Sequence, residues 1–236
     1  MIDYYNKISF AEAKVMQEKF RKKLKFEVAD NTTINTIAGA DISYNKNSTK
    51  MFGAIVVLSY PELILQSYSL TIAETNFPYK AGYLGFREVP TLLKAWDLLN
   101  TKPDIVVLDG QGILHPRRMG IAAHFGLLTG IATIGCAKSS LYGFYEEPGL
   151  AKYSASPVFE QELTIGYALR SKDNAKPVYV SPGYGLSLSN SLTIMKKCVG
   201  HLIPEPTRIA HEVVNDFRVG KLKEGWATVN QIPTLF

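Results

Sequence analysis

Cysteine is scarce in this chain. Of 236 residues only two are cysteine, Cys136 inside an apolar segment and Cys198 near the end of a predicted helix. Neither belongs to a Cys-x-x-Cys or Cys/His pairing, which argues against a zinc site and leaves both as core residues. Long apolar runs are missing too. No stretch approaches membrane-spanning length, and the opening segment from Met1 to Lys7 has no signal-peptide core, so the expectation is a soluble, cytoplasmic protein without membrane contact. Internal repeats and low-complexity segments are absent. Glycines do follow a predicted strand at Gly110-Gln111-Gly112, but the run continues to Leu114-His115 without the third glycine of a dinucleotide fingerprint, which counts against an oxidoreductase.

What is present suffices for one sizeable core: 46% of the residues are hydrophobic, and residues 1–236 are expected to form a single domain. The formal charge of +5 and a sequence pI near 9.0 favour a polyanionic partner, a weak vote taken alone. Phe10 to Leu24 alternates apolar and charged residues at helical spacing and ends in the basic cluster Arg21-Lys22-Lys23, where cations suit the helix dipole. Three apolar runs follow, Thr33 to Tyr44, Met51 to Tyr60 and Leu63 to Ala73, and read as an antiparallel meander. Beyond them helices are predicted over Thr91 to Leu99, Arg118 to Thr129, Leu188 to Val199 and Glu205 to Phe217. Strands are predicted over Pro103 to Leu108, Ala132 to Ala137, Leu163 to Leu169 and Pro177 to Val180. A meander followed by alternating strands and helices predicts an α/β fold built on a mixed sheet with helices on its faces.

The run from Leu108 to Gly120 carries the most chemistry. Asp109 leaves an apolar strand into a loop whose two glycines permit close backbone approach, and His115, Arg117 and Arg118 then make the loop basic near a predicted helix start. Asp41 is the only charged residue between Thr32 and Tyr44. A lone carboxylate interrupting an apolar strand is costly to bury unless it is paired or binds metal. Hard oxygen ligands select magnesium or manganese, and two such cations on shared carboxylates suit phosphodiester hydrolysis. An internal salt bridge for Asp41 and a strand-terminal turn for Asp109 are the plainer alternatives. For His115, Arg117, Arg118 and His124 the choices are gripping phosphates, bracing the loop, or plain solvation. The pair Glu146-Glu147 before Pro148-Gly149 reads as a solvated turn.

Four separated blocks, Ile37 to Tyr44, Phe77 to Gly82 running into Phe86-Arg87-Glu88, Asp109 to Lys138, and Pro204 to His211, resemble the endonuclease V family in the same order. That resemblance implies a ribonuclease H-like fold and a monomeric, magnesium-dependent nuclease of DNA repair, with manganese as a substitute cation. Such an enzyme recognises hypoxanthine and cuts the strand a little to its 3′ side. By correspondence Asp41, Glu88, Asp109 and His211 become metal ligands, and Lys138 a basic residue near the reacting phosphate. Tyr79, stiffened by Pro78, becomes a wedge for the gap left by a flipped base. Gly82, Leu84, Gly110, Gly112, Gly120 and Ile121 correspond to a base pocket read largely by backbone, with His115, Arg117 and Arg118 as further substrate contacts. Two departures from the family pattern stand out. Lys80-Ala81 replaces an apolar residue and a second proline, and Tyr184 stands where histidine is common. The competing readings are an inosine-specific ribonuclease and a non-catalytic nucleic-acid-binding protein on the same scaffold, and the presence of all the matched carboxylates counts against the latter.

Overall fold

Parallel strands at the centre of the sheet decide where everything else stands. The computed structural model describes residues 2–26 and 33–229. In chain order its elements are α1 (Ile2–Tyr5), α2 (Phe10–Arg21), β1 (Thr36–Ser43), β2 (Lys50–Ser59), β3 (Leu65–Glu74), α3 (Leu84–Leu98), β4 (Ile105–Asp109) and α4 (Ile121–Thr129). There follow β5 (Ala132–Ala137), β6 (Ala155–Glu160), β7 (Leu163–Leu169), β8 (Val178–Tyr184), α5 (Leu188–Cys198), α6 (Glu205–Arg218) and β9 (Gly225–Thr228). The described strands form one nine-stranded sheet in the order β6-β7-β8-β5-β4-β1-β2-β3-β9. β1, β4 and β5 run parallel side by side. The remaining pairings, β1–β2–β3–β9 on one side and β5–β8–β7–β6 on the other, are antiparallel.

The predicted meander is present as β1 to β3. β2 is buried at eight consecutive positions, Met51 to Ser59 excluding the last, because both faces of the sheet are covered and alternation is not required. One face packs against α5 and α6 through Ile37, Val107, Ile134, Ile194, Val213 and Phe217. The other packs against α3 and α4 through Ala38, Ala40, Val106, Leu108, Val89, Leu92 and Phe125. α2 starts at a full capping box, Ser9 with Glu12. α4 ends at Gly130 in the left-handed conformation (φ 74°), directly after the predicted last residue, Thr129.

Two helix starts differ from the sequence expectation. α3 begins at Leu84, seven residues before Thr91, and carries Pro90 in its interior. The burial of Phe86, Val89, Leu92 and Ala95 on one face offsets the single backbone hydrogen bond that the proline removes. Glu88 therefore stands on a helix and not in a loop. α4 begins at Ile121 and not at Arg118, which takes a left-handed turn conformation (φ 56°). Sequence reading also missed β6 and β9, the outermost strands of the sheet. β6 contains Pro157, and β9 is only four residues long.

Helix α6 lies directly on β1. A Cβ placed on Gly39 would stand 1.7 Å from the carbonyl oxygen of Pro206, in the first turn of α6. Only glycine permits that approach. We predict that Gly39→Ala forces α6 off the sheet and destabilises the fold by about 1–3 kcal/mol or more. Chemical denaturation measures the loss, and an unchanged midpoint would contradict this packing.

Candidate active site

Strand register brings the two aspartates together. Ala40 pairs with Leu108 across β1 and β4, so the next residues, Asp41 and Asp109, are lateral neighbours at the carboxyl edge of the parallel strands. Adjacent strands stand about 4.8 Å apart, and lateral neighbours point to the same face. Asp109 in turn pairs with Cys136 on β5, which puts Lys138 two residues further on that same face. Lys138 Nζ donates to Asp109 Oδ2 at 2.6 Å. His211, on α6 above the same face, has Nδ1 2.8 Å from Asp41 Oδ2, and Asn215 Nδ2 lies 3.2 Å from the other ring nitrogen.

Glu88 approaches from α3. It shares with Asp41, Asp109 and Lys138 a cleft of about 420 Å³. Burial pushes the Glu88 carboxyl well above its ordinary range, and the negative charges of Asp41 and Asp109 push it further. Asp109 is raised by burial and by Asp41, with Lys138 working against the rise. Burial lowers Lys138, but the hydrogen bond and charge of Asp109 leave it net above its usual value. His211 is raised chiefly by its hydrogen bond to Asp41. Three carboxylates in one cleft repel each other and favour any cation that joins them, and their oxygens are the hard donors magnesium and manganese take. The donor set thus fits a divalent cation. Among the described residues no three His, Cys, Asp or Glu side chains already stand in ligating array, and Asp41 and Asp109 each turn one oxygen to a basic side chain.

Tyr79, 67% exposed, and Lys80 also line this cleft, together with Gly82, Leu84, Gly110, His115, Gly120 and Ile121. Gly82 has a positive φ of 80°, and its carbonyl accepts three hydrogen bonds, from Gln17 Nε2 (2.9 Å), His115 Nε2 (3.0 Å) and Arg117 Nη2 (2.7 Å). Lys80 Nζ lies 4.5 Å from the ring centre of Phe10 and 5.7 Å from that of Tyr83. Where a second proline would stiffen the loop, a cation over two rings holds it instead.

Several sequence expectations need correction. Gly112 is buried away from the cleft, its amide donating to Ser181 Oγ, and a Cβ there would strike the Pro182 carbonyl at 2.2 Å. His115 and Arg118 are buried, and although His115 lines the cleft, its two ring nitrogens already contact the Gly82 carbonyl and the Arg117 amide. His115 holds Gly82, and desolvation followed by the charge of Arg117 pushes it down to about 4. Arg118 pairs with Glu160. Arg117 is bonded to Gly82 and Gln17 and lies 4.4 Å from the Tyr83 ring centre. Of the roles open to this basic loop, the geometry supports bracing. His124 is wholly buried, with Tyr5 Oη 2.7 Å from its Nε2, and burial pushes it down to about 3. His211 is not among the residues lining the cleft. Tyr184 pairs with Thr133 at the amino end of β5, the opposite end from Lys138, so that departure leaves the cleft untouched. Of the presumed solvated pair, Glu147 binds the buried Arg170. Tyr44, Gln111 and Leu141 also line the cleft, and no role was assigned to them from sequence. The signal for Tyr44 was its place directly after the strand that carries Asp41.

A sequence profile of the family described as Endonuclease V matches residues 18–212. Endonuclease V of Dictyoglomus turgidum is 41% identical over 210 residues, which span 89% of this chain and 91% of the relative. A crystal structure of the Streptomyces avermitilis endonuclease V superposes with a TM-score of 0.85 at 33% identity, covering 92% of this chain and 96% of that one. A Ciona intestinalis endonuclease V, crystallised with a 24mer DNA containing an inosine followed by a ribo-adenosine, gives 0.81 at 30% identity, covering 90% and 98%. The mixed sheet with helices on both faces is thus the ribonuclease H-like architecture expected from the sequence.

The Asp41–His211 contact yields a titration test. A raised histidine pKa means that the pair's contribution to stability is complete below the unfolded value near 6.5 and is lost as pH rises through the folded value. We predict that Asp41→Asn shifts the His211 titration, followed by NMR in metal-free protein, to lower pH. An unmoved His211 titration would contradict the contact.

Proposed function

The chain belongs to the endonuclease V family, and on that footing we propose that Asp41, Glu88 and Asp109, with His211 beside them, hold divalent cations at the centre of its activity. The enzyme is a metal-dependent endonuclease of DNA repair that recognises inosine in nucleic acid and hydrolyses a phosphodiester bond. The observation that carries the site assignment is the in-register placement of Asp41 beside Asp109, with Glu88 in the same cleft.

Magnesium, with manganese as a substitute, would supply electrophilic stabilisation of phosphate charge and a water acidified toward hydroxide. The chain's own groups do the rest. Lys138, beside Asp109, is placed to neutralise charge developing on the phosphate. His211, raised by Asp41, is placed to hold or release a proton at its ring. Tyr79 projects from the loop after β3 and fills the gap in the base stack when the hypoxanthine leaves it. Gly82, Leu84, Gly110, Gly120 and Ile121 line the cleft, and their backbone groups, apart from the Gly82 carbonyl already taken by three donors, are to read the carbonyl and ring N–H that distinguish hypoxanthine from adenine. Cleavage falls on the 3′ side of the lesion. The protein works as a cytoplasmic monomer, with residues 1–236 as one nuclease domain. The continuous sheet supports the single domain, and among the described residues no helix is long and apolar enough to cross a membrane.

Matched oligonucleotides carrying one inosine, in deoxy and ribo form, test the assignment. A 3′-side cut that needs magnesium or manganese and spares the adenine control is expected. The ribo arm matters because the Ciona complex carries a ribo-adenosine after its inosine. Asp109→Ala should lower cleavage by about 10³-fold or more while binding to the inosine strand persists. Metal-dependent cutting at the wild-type rate by that variant would remove Asp109 from the centre.

A further inference from the structure

Tyr44 stands one residue beyond the end of β1, three positions after Asp41, and lines the same cleft as the carboxylates and Tyr79. It is 39% exposed. The Arg87 guanidinium lies 5.2 Å from its ring centre, and Arg87 Nη1 donates to the Phe77 carbonyl at 2.8 Å, which fixes the cation behind the ring. An aromatic ring backed by a pinned guanidinium and open toward a cleft is the arrangement that receives a nucleobase, because stacking needs one free π-face and tolerates any base.

Taking the nuclease reading above as given, we infer that Tyr44 is a stacking platform for a nucleobase on the 3′ side of the inosine. Tyr79 and Tyr44 reach the cleft from different elements, one from the loop after β3 and the other from the end of β1. Asp41 lies between Tyr44 and the body of the sheet. Three residues of strand span about 10 Å, so the ring stands within reach of a strand whose phosphates lie at the carboxylates. A strand whose flipped base sits in the glycine-lined part of the cleft, with its next phosphates at the carboxylates, brings a downstream base to Tyr44. The ring then helps to hold the scissile phosphate in place without reading sequence.

The test uses the full-length protein and four variants, Tyr44→Ala, Tyr44→Leu, Tyr44→Phe and Tyr44→Trp, with thermal melts to verify folding. Leucine keeps bulk and apolarity but removes the π-face, so it separates stacking from simple packing. Alanine and leucine should raise KM for an inosine-containing single strand by about 5- to 100-fold with kcat little changed, while phenylalanine and tryptophan stay near wild type. In a second arm, the base is removed at each position 3′ of the inosine in turn. One such deletion should weaken wild type as much as Tyr44→Ala does and should cost that variant nothing more. A third arm measures binding of an inosine-free single strand by fluorescence anisotropy. There too the alanine and leucine variants should bind more weakly, and this result stands even if inosine selectivity fails. Wild-type KM and wild-type anisotropy in the alanine and leucine variants would overturn the inference, as would base deletions that weaken wild type and Tyr44→Ala alike at every position. A wild-type protein that binds single strands through Tyr44 but cuts no inosine strand would overturn the nuclease reading instead.

Discussion

Repulsion between Asp41 and Asp109 is the constraint around which the molecule is arranged. Parallel pairing of β1 with β4 puts the two carboxylates side by side, and helix α3 adds Glu88. Like charges this close are unfavourable in a partly dry cleft unless positive charge joins them. The fold supplies it in fixed places. Lys138 arrives because β5 continues the parallel set, and His211 arrives because α6 can lie flat on β1 over Gly39. The sheet order is therefore an electrostatic arrangement as much as a packing one, since β1 and β4 each carry a carboxylate and β5 and α6 bring the counter-charges.

Sequence reading located the central strands because their apolar runs are uniform and end at a charged residue. Asp41 was conspicuous as a carboxylate in a strand with no other charge, and Asp109 as one at a strand's end. Glu88 was not legible from local chemistry, because a glutamate between arginine and proline looks like loop material. Only the packing of Val89 and Leu92 against the sheet, and of Phe86 against Tyr5 and Phe77, turns that stretch into helix and brings the side chain to the cleft. For His115 and Arg118 the choice between gripping phosphates and bracing the loop stayed open for the opposite reason. Exposed cations are ordinary, and nothing local tells that a basic loop will fold inward to reach Gly82 and Glu160, which lie tens of residues away in the chain.

The sheet's two antiparallel wings separate the tasks of the protein. The meander side carries Asp41 and leads into the Tyr79 loop after β3, whereas β8, β7 and β6 extend the other side and anchor Arg118 through Glu160. The two sides meet where the loop from Gly110 to Gly120 passes between them. The Gly112 amide bonds to Ser181 on β8, and the His115 ring bonds to Gly82 in the Tyr79 loop. That loop is a bridge, and its cations are spent on holding it.

Three donors on the Gly82 carbonyl have a consequence for the amino-terminal helix. Gln17, which supplies one of them, and Phe10, which lies beneath Lys80, both sit upstream of residue 18, where the family profile begins to match. The loop that carries Tyr79 is thus tied to a stretch that holds none of the three clustered carboxylates. Removing that front stretch would cut two ties on the Tyr79 loop and would also strip Tyr5 from Phe86, on the helix that carries Glu88.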